Sequence, residues 1–260
     1  MMIDVSFSLI DFEYILLITV RIASFVFVAP FFSQRGVPAM AKIGFSFLIG
    51  VILFSVVPPP EQIFTGIFGY GMAVLKEGIT GLLIGFAAYI CNSIVIFAGN
   101  IIDMDIGLSM AQEYNPDLSM LITSTGNLYY YLIFALLIAT GMDRYILRVA
   151  CDSFYVVPIG GAVFEWDSLL LSMTTYMGDL FVIGFRIFLP VFAVIMIMNC
   201  VLGVMAKVAP QMNMFSIGIQ LKILVGFLVL FLMIFLFPSV AEMVFDEIKK
   251  MVVLFIEGMY

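Results

Sequence analysis

The stretch AKVAPQMNMFSIGIQLK, Ala206–Lys222, interrupts the apolar sequence of the C-terminal half of the chain. The runs on its two sides, Met177–Met205 and Phe215–Phe237, are long enough to cross a bilayer, which takes ~20 apolar residues. Proline disfavours a continuous helix, and the lysines and amides are costly inside lipid. We therefore predict a turn centred on Pro210 between two membrane helices.

The same criterion finds about six apolar runs in all. The chain has 260 residues, of which 64% are hydrophobic and 11% charged, whereas a soluble protein has about 25% charged residues. We predict an all-α, polytopic membrane protein with residues 1–260 in a single domain, its polar connections being short and Gly141–Tyr176 the longest. The other four runs are Ile10–Phe32, Ile43–Val57, Ile79–Ala98 and Leu121–Thr140.

Composition excludes several kinds of chemistry. The net charge is −7 and no basic cluster is present, which argues against nucleic acid as a partner. Histidine is absent, and the three cysteines are far apart, so the sequence has neither the usual metal-ligand spacings nor a disulfide framework. We predict no cofactor, no metal and no enzymatic activity.

Charged residues inside the apolar runs indicate that some helices are surrounded by protein. Arg21 and Arg186 lie within such runs, where a charge costs ~2.5–3.5 kcal/mol on insertion scales. Lys76, Glu77 and Asp179 lie where they could reach the ends of a span. The positively charged loop residues are divided nearly evenly between the two sides, so they do not orient the chain. Gly81 and Gly85 form a small-xxx-small pair that permits close helix packing.

Five separated stretches resemble the FliR/SctT family of type III export proteins. They extend over nearly the whole chain in the family's order, and the resemblance favours a flagellar system while it leaves a virulence system open. The stretches are VRIASFVFVAPFFSQRGVPAMAKIGF (Val20–Phe45), GLLIGFA (Gly81–Ala87), AGNIIDMDIGLSMAQEYNP (Ala98–Pro116), SFYVVPIG (Ser153–Gly160) and VLGVMAKVAPQMNMFSIG (Val201–Gly218).

The resemblance implies a subunit of the flagellar protein export gate. Such a subunit would form, with FliP and FliQ, the channel through which unfolded flagellar proteins cross the bacterial inner membrane, and it would contact FlhB. Its helices would pack as bent hairpins within the gate complex, at the flagellar basal body. Residues that match the family's packing motifs or that we expect at assembly contacts are Arg21, Pro30, Arg35, Pro38, Lys42, Gly81, Gly85, Arg186, Gly203, Lys207, Pro210, Gln211 and Asn213.

The central motif implies a plug that lies across the export channel. Its segment, Asp103–Met120, carries four acidic residues and no basic one, and Gly107 and the Asn115–Pro116 step favour a defined bend. Methionine side chains could supply an adaptable apolar seal. A solvated loop is the alternative for this segment. The predicted gate residues are Asp103, Gly107, Leu108, Met110, Asn115, Pro116 and Met120.

The sequence departs from the family pattern at a few positions. Lys207 replaces the usual arginine, and a lysine cannot form the bidentate contact of a guanidinium. Asp105 replaces a glutamine, Gln220 a proline, and Met142–Asp143 the position where histidine is frequent.

Two other classes of protein share some of these features. A secondary transporter or small-solute channel also has buried charges, but we find no two related halves in the sequence. An intramembrane enzyme could use Asp103 and Asp105, but residues two apart on a helix face different directions.

Overall fold

The computed structural model describes residues 9–58, 66–209, 211 and 213–260. These residues are mostly helical, which confirms the predicted all-α membrane fold, with one small β-hairpin added. The elements are α1 (Leu9–Val28), α2 (Ala39–Phe54), α3 (Gly66–Ile90), α4 (Asn92–Ile106), β1 (Gln112–Asn115), β2 (Met120–Thr123), α5 (Ser124–Ala139), α6 (Met142–Val156), α7 (Trp166–Val208), α8 (Met214–Met233), a 3₁₀ turn (Ile234–Leu236) and α9 (Phe237–Glu257).

The apolar helices differ in length from the six predicted runs. Three helical stretches among the described residues are long and apolar enough to cross a membrane: Gly66–Ile106, Trp166–Val208 and Ser216–Glu257. They contain 41, 43 and 42 residues, about twice the ~20 residues of a single crossing. Two shorter apolar helices, Ala39–Phe54 and Ser124–Ala139, accompany them. The predicted run Ile79–Ala98 in fact straddles the junction of α3 and α4.

Helix α6 and most of α9 fall outside the predicted runs. Helix α6 lies in what we expected to be a polar connection, and its buried residues Met142, Ile146, Ala150 and Phe154 recur every four positions. This spacing places one apolar stripe on an otherwise polar helix. A search for continuous apolar runs misses such a helix, because its polar face lowers the mean hydropathy.

The described residues form two compact units. The first unit comprises the described residues within Met1–Ile90, Gly141–Thr174 and Ile248–Tyr260, and the second comprises those within Cys91–Thr140 and Thr175–Glu247. The first unit contains α1, α2, α3 and α6. The second contains α4, the hairpin, α5, α8 and most of α7.

Glycines set the distance between α1 and α3 in the first unit. A Cβ atom on Gly81 would collide with the carbonyl oxygen of Arg21 and the hydroxyl of Ser24. A Cβ on Gly85 would lie 3.0 Å from the carbonyl oxygen of Phe25. Only glycine permits backbones to approach this closely, so the predicted packing role of Gly81 and Gly85 has a direct physical basis.

Glycines set a second close approach, between α4 and α5 in the other unit. A Cβ on Gly99 would overlap the Cα of Gly126. The sequence did not predict this pair, because Gly99 and Gly126 lie in separate parts of the sequence and do not form a small-xxx-small motif.

Gly81→Ala should destabilise the first unit, because the new methyl group meets rigid backbone of α1 rather than a flexible side chain. Overpacking of this kind costs ~1–3 kcal/mol. The matched control is Gly78→Ala, whose Cβ would make an ordinary contact at 3.7 Å with Val20. Thermal aggregation of the tagged chain in detergent should begin at a lower temperature for Gly81→Ala only. Equal stability of the two variants would contradict the close approach.

Candidate functional site

The segment between α4 and α5 is an ordered hairpin rather than an irregular loop. Strands β1 and β2 pair antiparallel, with Gln112 opposite Thr123 and Asn115 opposite Met120. At the tip, the Asn115 side-chain oxygen accepts hydrogen bonds from the backbone N–H groups of Asp117 and Leu118, at 2.9 and 3.1 Å. The bend predicted at Asn115–Pro116 is therefore present, and the side chain of Asn115 stabilises it.

The helix before the hairpin ends at Gly107. This glycine has a φ of +99°, a left-handed conformation that favours glycine, and its N–H bonds to the carbonyl of Asp103 at 3.0 Å. Helix α4 therefore includes Asp103, which we had predicted to be part of the loop. The sequence did not show this, because the acidic run IDMDIG interrupts the apolar pattern before the helix ends.

Asp103 caps the first turn of α5 from the neighbouring helix. Its carboxylate is fully buried and accepts the N–H of Thr125 at 2.8 Å and also the hydroxyl of Thr125. Thr125 lies in the first turn of α5, where N–H groups lack partners within the helix and the helix dipole is positive. A buried acid is thus stabilised without a cation.

Further polar contacts attach the hairpin to α4 and α5. Asn115 is fully buried, and its amide donates to Asn127 at 2.8 Å. Asn127 in turn donates to Glu113 at 3.1 Å. The hydroxyl of Thr123 donates to Asn100 at 2.8 Å. The hairpin is consequently held to both helices, at its base through Thr123 and near its tip through Asn115.

The outward surface of the hairpin is apolar and rich in large side chains. Met110 is 95% exposed in the isolated chain. Tyr114, Met120 and Leu121 on the two strands are also exposed, and so is Pro116 at the tip. Leu108, by contrast, lines an apolar cavity of about 340 Å³ together with residues of α5 and α8. The predicted gate residues therefore divide into buried anchors, Asp103 and Asn115, the cavity-lining Leu108, and the exposed residues Gly107, Met110, Pro116 and Met120.

Arg21 and Glu77 form a buried ion pair in the first unit. The side chains are 1% and 0% exposed, and the guanidinium contacts both carboxylate oxygens, at 2.6 and 3.0 Å. The remaining donors reach the carbonyl of Val157 at 2.9 Å and Ser153 at 3.4 Å, while the N–H of Gly160 donates to Glu77 at 2.9 Å. The expectation that Glu77 reaches the end of a span is wrong, because burial and pairing hold it inside the protein.

The other predicted assembly residues do not form one cluster. Pro30 and Lys42 are buried, and the Lys42 ammonium lies 5.8 Å from the ring of Phe27. Pro38 precedes α2, and Asn213 caps α8 by accepting the N–H of Ser216 at 3.5 Å. Pro210 lies outside the described residues. The exposed members of the set are Arg35, Pro38, Arg186, Gly203, Lys207, Gln211 and Asn213.

These features define a class of protein, a polytopic helical membrane protein. It has a buried ion pair, and a hairpin between two apolar helices is attached to both of them by polar bonds. The model of the family "Bacterial export proteins, family 1" matches residues 12–248, and the chain belongs to this family. It is 30% identical to the flagellar biosynthetic protein FliR of Bacillus subtilis, over 86% of this chain and 87% of that protein. It is 25% identical to FliR of Escherichia coli, over 88% and 87%, and 26% identical to FliR of Aquifex aeolicus, over 92% of each. The chain is thus a member of the FliR family and a membrane component of the flagellar export apparatus.

Glu77→Gln should strongly destabilise the first unit, because it leaves the Arg21 guanidinium buried without a counter-charge. Loss of one partner from a buried pair costs ~3–5 kcal/mol. The control is Asp152→Asn, which removes the exposed partner of Arg148 on α6 and should have little effect. Steady-state amounts of each variant in the membrane, by immunoblot, should fall for Glu77→Gln alone. Equal amounts of both variants would show that the buried pair contributes little.

Asp103→Ala should loosen the hairpin while the long helices stay intact. The substitution leaves the N–H of Thr125 unpaired and buried, which costs ~1–3 kcal/mol. Limited proteolysis should then cleave within residues 108–122 at least several times faster than in the parent. Gln112→Ala, at an exposed position of the same hairpin, serves as the control. An unchanged cleavage rate in Asp103→Ala would contradict the anchoring role of Asp103.

Proposed function

We propose that the chain is a subunit of the flagellar protein export gate, and that the hairpin between α4 and α5 closes its channel. In this proposal the chain forms, with FliP and FliQ, the path by which unfolded flagellar proteins cross the inner membrane at the basal body, and it contacts FlhB. Membership of the FliR family supports the assignment to the export apparatus. The attachment of the hairpin to α4 and α5 by buried polar bonds is the observation that supports a closing role for this segment.

The hairpin lies in the sequence between two apolar helices. The hairpin joins the end of Gly66–Ile106 to the apolar helix Ser124–Ala139. Non-helical backbone at membrane depth is tolerated only where protein or a water-filled cavity surrounds it. A channel through the gate would provide such surroundings. It would also explain why polar backbone and acidic side chains occur between two apolar helices.

The distribution of side chains on the hairpin suits reversible closure. Buried polar bonds of Asp103 and Thr123 fix its base and those of Asn115 hold its tip, whereas Met110 and Met120 are exposed and carry flexible thioether side chains. Methionine adapts its shape to varying neighbours, so such a surface can seal against a partner and re-form after a substrate has passed. A fixed base ensures that the hairpin returns to the same position.

Removal of the hairpin should open the gate to ions without preventing assembly. The N–H of Ser124 already bonds to the carbonyl of Ala111 at 3.2 Å, so Gln112–Thr123 can be replaced by two glycines without stretching the chain. Cells with the shortened chain should show increased uptake of a small dye or ion, while FliP and FliQ still co-purify.

Gly36→Ala is the control for the shortened chain, since its new Cβ would have no atom within 4 Å. It should leave the membrane as tight as the parent does. If the shortened gate assembles and remains equally tight, the hairpin is not the closure.

A further inference from the structure

The membrane helix α7 leaves a charged residue on its uncovered side. Arg186 is exposed, and among the described residues its guanidinium has no carboxylate within ion-pair distance. Among the described residues, it donates a weak hydrogen bond to the thioether of Met243 at 3.7 Å. A guanidinium has five donors, and a sulfur atom satisfies them poorly. In the isolated chain the charge on Arg186 is therefore largely uncompensated.

The position of Arg186 along the helix makes this costly. Between Asp179 and Lys207 it is the only charged residue in a continuous apolar sequence. That sequence is longer than the ~20 residues of one crossing. A charge inside the hydrocarbon region is expensive unless it pairs with another group. Asp179, seven residues away, is about 10 Å distant along the helix at 1.5 Å per residue, too far for direct pairing.

The buried and exposed residues of α7 show which side is uncovered. Ile187, Val191 and Ile195 are 0–2% exposed and recur every four residues, so they form a single stripe against the rest of the chain. Ala193 and Cys200 follow Arg186 at intervals of seven residues and are exposed. At 3.6 residues per turn, these three residues lie on the side away from the buried stripe.

Apart from Arg186, the uncovered side of α7 is apolar, and its small residues would let another helix come close. Leu189, Met196, Ile197 and Val204 are each 52–66% exposed in the isolated chain. Another helix could approach closely here, because Ala193 and Cys200 have small side chains and Gly203 has none. A Cβ built on Gly203 would have no atom within 4 Å. Only 28% of the most apolar part of α7 is buried inside the chain, which leaves most of it available for contacts.

We propose that this side of α7, from Val182 to Val204, docks against a membrane helix of another export-gate subunit, and that an Asp or Glu of that helix pairs with Arg186. This inference rests on the proposed function and adds the chemistry of one contact. The planar guanidinium suits a bidentate bond to a carboxylate, and the surrounding apolar residues would exclude water and strengthen that bond.

The test compares charge variants in the assembled apparatus. Arg186→Glu should reduce the recovery of the other gate subunits on the tagged chain by about tenfold or more, since it places two like charges together. Arg186→Lys should have a smaller effect. Arg148→Glu, at an exposed position on α6, is the control and should change recovery little. An acidic-to-basic substitution in a membrane helix of a co-purifying subunit should restore assembly of Arg186→Glu.

Native Cys200 provides an independent readout on the same side of α7, since it is exposed and carries a free thiol. A membrane-permeant maleimide should label Cys200 several-fold more slowly in the assembled apparatus than in the chain produced alone. Buried Cys91 is the internal reference. Equal labelling of Cys200 in both samples would overturn the proposal and leave this side in contact with lipid.

Different results would contradict the proposed function and the pairing at Arg186. If the parent chain purifies without other export subunits, the proposed function itself is contradicted. If the parent assembles and Arg186→Glu assembles and exports equally well, only the pairing at Arg186 is overturned.

Discussion

The buried ion pair of Arg21 and Glu77 is the interaction on which the first unit depends. It joins α1 to α3, and the remaining guanidinium donors reach the end of α6 through Ser153 and Val157. Because neither charge is exposed, neither can be left without the other. The pair therefore requires these helices to meet in one arrangement, and the glycines at Gly81 and Gly85 allow the backbones to approach closely enough for it.

The charges within the apolar helices of the chain are compensated in different ways. Asp103 is stabilised by the first turn of a helix, and this contact fixes the base of the hairpin. Arg21 is stabilised by an acid and by carbonyl groups. Arg186 has only a thioether within the described part of the chain. Asp103 and Arg21 thus find their partners within the chain, whereas Arg186 does not among the described residues, and the proposed contact with another subunit rests on this contrast.

Much of the fold could be predicted from composition and length, because long apolar runs and scarce charges define a helical membrane protein. Helix α6 could not be predicted in this way, because an amphipathic stripe does not form a continuous apolar run. The true lengths of the long helices could not be predicted either, because a helix of twice the span length does not appear as a separate apolar run. The hairpin bend at Gly107 and Asn115 was signalled by local turn chemistry. The sequence did not signal the partners of Arg21 and Asp103. Glu77 and Thr125 are distant from them in sequence, and only packing brings each pair together.

The central claim is that this chain is one subunit of a larger gate and is not complete alone. Native mass spectrometry of the tagged chain, extracted gently from its own membrane, measures this directly. The account predicts that the chain is released in a complex that contains FliP and FliQ, with little of it as a lone polypeptide. A stable, monodisperse monomer as the main species would contradict it.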